Sequence, residues 1–226
     1  MRRVLQLVAV LALAAIVVVG AILLSSGDDE QAAAPSATRV EDQGYDGIPQ
    51  NGIHLGKADA PVTLVEIADL QCPFCAQYAV TAMPTVVRDY VRPGKVRYEL
   101  RFRSFLGRDS VRAAGAAAYA AQQDLMYQFA DAFYRNQGPE ESGYADRAFM
   151  EKIAGMVPGL DPDKTADAAD DPLSFPAVAG NETFARKLGS TSTPDFYIRK
   201  GGRLAPLNVQ GAAPEDYARA LDQALQ

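Results

Sequence analysis

The feature that most constrains this chain is a Cys-Pro-Phe-Cys motif placed between an apolar run and a helix-forming run. Residues 62–71 are mostly apolar and β-branched and predict a buried strand, and residues 76–91 predict the helix that follows. A thiolate at Cys72 would meet the free N–H groups and the positive dipole end of that helix, which lower a thiol pKa. Pro73 suits a first helical turn, where its missing N–H costs no hydrogen bond. The motif therefore predicts thiol–disulfide exchange by Cys72 and Cys75.

Three other uses of the two thiols stay open at this point. A structural disulfide between them would close so small a ring that chain entropy contributes only about 2 kcal/mol. A zinc site needs four Cys or His ligands, but the chain has two cysteines and one histidine, His54, which we expect to be a surface or packing residue. Two unrelated buried thiols would not explain the strand-to-helix context. Redox chemistry is the favoured interpretation, and no metal site is expected.

The overall composition excludes one class of partner and indicates how the fold is held together. The net charge is −6 and the sequence has no basic patch, so we expect no binding of nucleic acid. A hydrophobic fraction of 48% is ordinary for a folded protein. Both cysteines belong to the motif, so core packing rather than a disulfide framework must stabilise the fold.

The N-terminal segment predicts a membrane anchor. Residues 4–24 carry no charge and could cross a bilayer as a helix, and the two arginines before them place the short end in the cytoplasm. A cleaved signal peptide is the alternative, although its apolar region would be shorter. We expect residues 1–24 to be this anchor or signal, residues 25–44 a flexible linker, and residues 45–226 a domain in an extracytoplasmic, oxidising space.

The rest of the chain predicts a strand, a block of helices, a hairpin and a last helix. Residues 96–105 alternate between apolar and charged side chains, which predicts a strand whose arginines lie on a solvated face. A helical insertion is expected at about residues 107–189, with Ser110 as the N-cap of its first helix. The glycines at 201–202 predict a hairpin turn, and Pro214 predicts the start of the last helix.

Taken in this order, the elements and motifs resemble the DsbA-like thiol:disulfide oxidoreductases of the thioredoxin superfamily, above all the membrane-anchored type of Gram-positive bacteria. The resemblance covers residues 48–226 and implies an α/β thioredoxin fold with a helical insertion, preceded here by an N-terminal transmembrane helix. It implies that Cys72 forms the mixed disulfide with a substrate and that Cys75 is the buried resolving thiol. Thr193 and Pro194 match the cis-proline loop of the family.

The resemblance also implies roles for the residues around the thiols. The backbone of Thr193, before the cis proline, would pair with an extended substrate chain next to Pro73 and Phe74. Glu66 matches a buried acid that can pass a proton to or from the resolving thiol, although a carboxylate turned to solvent is the alternative. Strongly oxidising members have histidine at the position of Phe74. Because a phenyl ring cannot stabilise a thiolate in that way, we expect a weaker oxidant here.

The function implied by the resemblance is the introduction of disulfides into unfolded, exported proteins that carry thiols. The redox-active pair Cys72–Cys75 would need no bound cofactor, and a membrane reoxidant of the DsbB or vitamin K epoxide reductase type would regenerate it. The alternatives are a disulfide reductase or isomerase, and a thioredoxin-like chaperone or binding module without redox turnover.

Overall fold

The computed structural model describes residues 44–226. The predicted anchor and nearly all of the predicted linker lie outside this range. Within it, no helix combines the length and the apolar character needed to cross a membrane.

A single sheet organises the described part of the chain. Its order is β1-β2-β4-β3-β5-β6, in which β3 and β4 run parallel and the other neighbours run antiparallel. The central strand β3 is buried along nearly its whole length, which explains the apolar run before the motif. The strands are β1 (Gln50–Asn51), β2 (His54–Leu55), β3 (Val62–Ala68), β4 (Val96–Phe102), β5 (Asp195–Lys200) and β6 (Arg203–Pro206).

Helices connect and cover the strands, and most of them lie between β4 and β5 in the chain. The predicted α/β architecture with a helical insertion is confirmed. The helices are α1 (Pro73–Thr81), α2 (Met83–Val86) with a π-helical turn after it (Val87–Val91), α3 (Arg108–Gln122), α4 (Met126–Arg135), α5 (Arg147–Gly155), α6 (Pro162–Asp170), α7 (Pro176–Leu188) and α8 (Pro214–Leu225).

The helical run after the motif is interrupted, as its internal proline predicts. Helix α1 ends at Thr81, and α2 begins at Met83 next to Pro84, which has no N–H to donate. The N–H of Ala82 still reaches the carbonyl of Tyr78 at 3.0 Å, and the N–H of Val86 reaches that of Ala82 at 3.1 Å, so helical hydrogen bonds continue on both sides of the break.

The prediction that Ser110 caps the first inserted helix is wrong. Gly107 occupies the N-cap position of α3. Ser110 is buried, and its hydroxyl donates to the Asp69 carboxylate at 2.7 Å instead. A contact with a distant strand end therefore takes the hydroxyl that was expected to cap the helix.

The prediction of a solvated charged face on β4 is also wrong. Glu99 is only 1% exposed and lies within 4 Å of three potential cations, Arg101, Arg199 and His54. Helix α7 covers this face, and the guanidinium of Arg101 stacks 4.2 Å from the ring centroid of Phe184 on that helix. A buried carboxylate needs paired charges, and this face of the sheet supplies them.

Candidate active site

Cys72 lies at the point where β3 leads into α1. It is the N-cap residue of α1, with Pro73 as the first helical residue, and its carbonyl accepts the N–H of Ala76 at 3.1 Å. Both cysteines are free thiols in this structure, so it represents the reduced form. Cys72 is 4% exposed, whereas Cys75, one turn further along the helix, is fully buried.

The loop before β5 contacts the sulfur of Cys72. The Thr193–Pro194 peptide bond is cis, which confirms that prediction. The Cys72 thiol donates to the Thr193 carbonyl oxygen at 3.3 Å. The two segments are distant in sequence, but β5 pairs with β3 in a register that sets Asp195 opposite Ile67 and brings both strand ends to the same edge.

The surroundings of the two thiols give them opposite acidities. The hydrogen bond from Cys75 is the largest influence on Cys72; burial opposes it, and the Thr193 hydroxyl and the N–H groups at the start of α1 assist it. Together they lower the pKa of Cys72 to about 6. Burial is the main cause that raises the pKa of Cys75 well above its ordinary value. At neutral pH Cys72 is therefore the thiolate and Cys75 the thiol.

Glu66 is buried on β3, not turned to solvent. It is 2% exposed, and its carboxyl accepts a hydrogen bond from the Tyr98 hydroxyl at 2.5 Å. Burial raises the pKa of Glu66 to about 8, against the effect of Tyr98 and with a smaller contribution from Cys72. Glu66 in turn adds to the raised pKa of Cys75, after burial and the contact with Cys72. The carboxyl is thus electrostatically linked to both thiols.

Comparisons with known proteins agree with this geometry. A family model described as Thioredoxin matches residues 49–219. A probable disulfide bond formation protein D of Bacillus anthracis is 32% identical over 155 residues, which are 67% of this chain and 70% of the relative. The chain belongs to the DsbA-like oxidoreductases of the thioredoxin superfamily. Disulfide bond formation protein D of Bacillus subtilis is 25% identical over 146 residues, 64% of this chain and 66% of that protein.

Solved structures show the same DsbA-like fold. Oxidised BdbD from Bacillus subtilis has a TM-score of 0.68 at 21% identity and covers 79% of this chain and 97% of its own. A thioredoxin-like oxidoreductase from Silicibacter pomeroyi has a TM-score of 0.59 at 28% identity, covering 78% of this chain and 91% of its own.

Two polar residues just before the motif were not assigned from the sequence. The Asp69 carboxylate accepts hydrogen bonds from the N–H groups of Gln71, Phe105 and Leu106 at 2.9, 3.1 and 3.2 Å, and from the Ser110 hydroxyl. The Gln71 side chain donates to the Ser110 hydroxyl at 3.1 Å. These bonds attach the loop that carries Cys72 to the start of the helical insertion. The signal available in the sequence was the pair of polar residues between a buried strand and a reactive cysteine.

A second anchor for this loop comes from the end of α4. The Gln137 side chain donates to the carbonyls of Leu70 and Cys72 at 2.8 and 3.2 Å, and the Tyr134 hydroxyl donates to that of Asp69 at 3.3 Å. By contrast, Phe74 projects outward and is 68% exposed. The motif therefore rests on a fixed backbone and leaves its central phenyl ring free to make contacts.

Proposed function

We propose that this protein is an extracytoplasmic thiol:disulfide oxidoreductase that introduces disulfides into exported proteins through Cys72 and Cys75. One observation carries the proposal: a thiol of lowered pKa at the start of α1 touches the loop of the cis peptide bond at Pro194, and its partner thiol is fully buried. This asymmetry suits exchange, because one sulfur meets the substrate and the other resolves the intermediate.

The reaction begins with the oxidised pair. A substrate thiolate attacks the sulfur of Cys72, the bond between Cys72 and Cys75 breaks, and the electron pair leaves with Cys75, which takes up a proton. The second substrate thiolate then attacks the substrate sulfur of the mixed disulfide and displaces Cys72 as a thiolate. Two electrons have passed to the enzyme, and the substrate has gained a disulfide. The lowered pKa of Cys72 makes it a good leaving group in the second step.

Glu66 is proposed to exchange the proton that this cycle moves at Cys75. With a pKa raised to about 8, the carboxyl holds a proton at neutral pH and can release it to a thiolate formed in the interior. Pro73 and Phe74 are exposed beside Cys72, and Thr193 and Pro194 are half-buried, so these four residues are proposed to contact the substrate.

The location and the reoxidant are proposals from the sequence and the family. The uncharged run at residues 4–24 supports a single-pass anchor that holds the domain outside the cytoplasm. A membrane reoxidant of the DsbB or vitamin K epoxide reductase type would accept the two electrons and restore the disulfide. The exchange reaction itself requires no bound cofactor.

Thiol trapping in cells and turnover in solution test the proposal. Alkylation of whole cells should find the pair mostly oxidised, and the oxidised protein should convert a reduced, unfolded dithiol protein to its disulfide form. Cys72→Ser should abolish this turnover. Cys75→Ser cannot form the Cys72–Cys75 disulfide, but its Cys72 thiolate should attack the disulfide of an oxidised substrate protein, release one substrate thiolate and remain trapped in the mixed disulfide. A pair found mostly reduced in cells would indicate a reductase or isomerase. Binding of unfolded chains by Cys72→Ser, together with an absence of oxidation by the intact protein, would indicate a chaperone.

A further inference from the structure

Arg103 stands just beyond β4, and its side chain joins three parts of the molecule. Its Nη1 donates to the Ser190 carbonyl at 2.6 Å, its Nε lies 3.4 Å from Glu182 Oε2 on α7, and its guanidinium stacks 4.8 Å from the ring centroid of Phe105. The side chain is only 16% exposed. An arginine expected on a solvated strand face is thus largely enclosed next to the active-site edge of the sheet.

The carbonyl that Arg103 holds belongs to the loop that touches Cys72. Ser190 is 4% exposed and begins this loop, which ends at Thr193 beside the sulfur. The Thr193 hydroxyl oxygen is buried and makes no hydrogen bond with the described residues while Cys72 is a thiol. A hydroxyl in this position gains a partner when the sulfur ionises, provided that the loop keeps it within reach.

We propose that Arg103 is a positioning residue that holds residues 190–193 against Cys72 and so fixes the Thr193 hydroxyl and backbone at the reacting sulfur. Hydrogen bonds weaken steeply as their geometry departs from the ideal, so a small shift of this loop would remove most of the contribution of Thr193. The inference rests on the proposed function only in taking Cys72 as the sulfur that reacts.

Other groups also act on Cys72, and the test must hold them constant. The Cys75 thiol on α1, the Glu66 carboxyl on β3 and the Tyr134 hydroxyl on α4 all interact with it. The contacts of Arg103 are instead with the loop, with α7 and with Phe105. A change confined to Arg103 therefore leaves these three neighbours in place.

The chain offers a matched control in Arg101. It lies two residues earlier, is similarly enclosed at 22% exposure, pairs with Glu99 and stacks on a phenylalanine of α7. Its side-chain contacts are with Glu99, Asn181 and Phe184, not with the 190–193 loop. Arg101→Met therefore reports what the loss of a partly buried, ion-paired arginine does by itself.

The experiment is a pH titration of the Cys72 thiolate in the reduced, full-length protein, followed by ultraviolet absorbance and by the rate of alkylation. Because the pKa of Cys75 lies well above its ordinary value, the transition near neutral pH belongs to Cys72. Arg103→Met should raise the pKa of Cys72 by about one unit, a tenfold change in the dissociation constant, as expected for one lost hydrogen bond. Arg103→Gln, measured in parallel in case the methionine variant does not fold, should shift the pKa in the same direction.

Three comparisons make the result decisive. Arg103→Lys should recover part of the shift, because an ammonium group can also donate to the Ser190 carbonyl. Glu182→Gln and Arg101→Met should leave the pKa of Cys72 within a few tenths of a unit, even where they lower the unfolding midpoint. Equal shifts in Arg101→Met and Arg103→Met, or an unchanged pKa of Cys72 in both Arg103→Met and Arg103→Gln, would overturn the inference. Failure of the proposed oxidase activity would appear instead as an intact, oxidised protein that does not convert a reduced dithiol protein to its disulfide form, and this result would leave the titration of Cys72 unchanged.

Discussion

Replacing Glu66 by glutamine removes a carboxyl that the fold keeps almost completely from water. The side chain is 2% exposed and accepts a hydrogen bond from Tyr98, and burial raises its pKa from 4.5 to about 8. The unfolded chain has no such environment, so its Glu66 ionises at the ordinary pKa. The folded state therefore binds one proton more than the unfolded state over most of this interval.

The sign and size of the effect follow from proton linkage. A pKa raised in the folded state gives stability that is complete below about pH 4.5 and is lost as the pH rises through about 8. Since one pKa unit corresponds to about 1.4 kcal/mol, this carboxyl should lower the free energy of unfolding by about 3 kcal/mol as the pH rises from about 5 to about 8. Glutamine has no proton to lose, yet its amide oxygen can still accept the hydrogen bond from Tyr98.

The assay is urea unfolding of the oxidised protein across this pH range, because neither thiol titrates once the disulfide has formed. The free energy of unfolding of the wild type should fall with pH by about 3 kcal/mol more than that of Glu66→Gln. Glu99→Gln is the matched control. Burial acts against ionisation of Glu99 too, but His54, Arg199 and Arg101 hold its pKa well below the ordinary value. The contribution of this carboxylate to the free energy of unfolding therefore changes only at acid pH. Parallel pH profiles for the wild type and Glu66→Gln would refute the assignment of a raised pKa to Glu66.

Three further predictions concern the buried contacts of helix α3 and the redox poise of the Cys-Pro-Phe-Cys motif. Ser110→Ala should lower the free energy of unfolding by about 1–3 kcal/mol in urea titrations, because buried Asp69 loses one of its donors. Gly115→Ala should destabilise the protein by a comparable amount, about 1–3 kcal/mol, since the added Cβ would stand 2.3 Å from the Ala168 carbonyl oxygen; an unchanged melting temperature would contradict this packing. Phe74→His should be the stronger oxidant in equilibrium with glutathione, because an imidazole stabilises the nearby thiolate; an equal reduction potential would show that the phenyl ring is irrelevant to poise.

Features defined by neighbouring residues could be predicted from the sequence. The apolar run of β3, the start of α1 at Pro73 and the end of α7 before Gly189 each follow from a few adjacent side chains. Gly189 has a φ of 68°, a conformation that glycine adopts without strain at the end of a helix. The cis bond before Pro194 was expected from the family resemblance, not from any local pattern.

Ser110 shows why other features could not be predicted. A serine ahead of an alanine-rich run is a typical N-cap, and nothing nearby contradicts that interpretation. The competing partner is Asp69, which lies 41 residues earlier in the chain and is buried at the end of β3. A buried carboxylate left without this donor would carry the desolvation cost of an unsatisfied acceptor. The tertiary contact therefore determines where the hydroxyl goes, and only the folded chain brings the two residues together.

Tertiary contacts also determine where the charged residues of β4 lie, and these residues are linked to the active site. Alternation of charged and apolar side chains indicates a solvated face only when no other part of the chain covers that face. Here α7 covers it, so Glu99 requires cations from β2, β4 and β5, and Arg103 is enclosed where the strand ends. Glu182 and Ser190, the partners of Arg103, lie on α7 and in the loop that follows it. The insertion that shields the sheet thus leads directly into the loop that lies against Cys72, and the contacts of Arg103 join that loop and α7 to the end of β4.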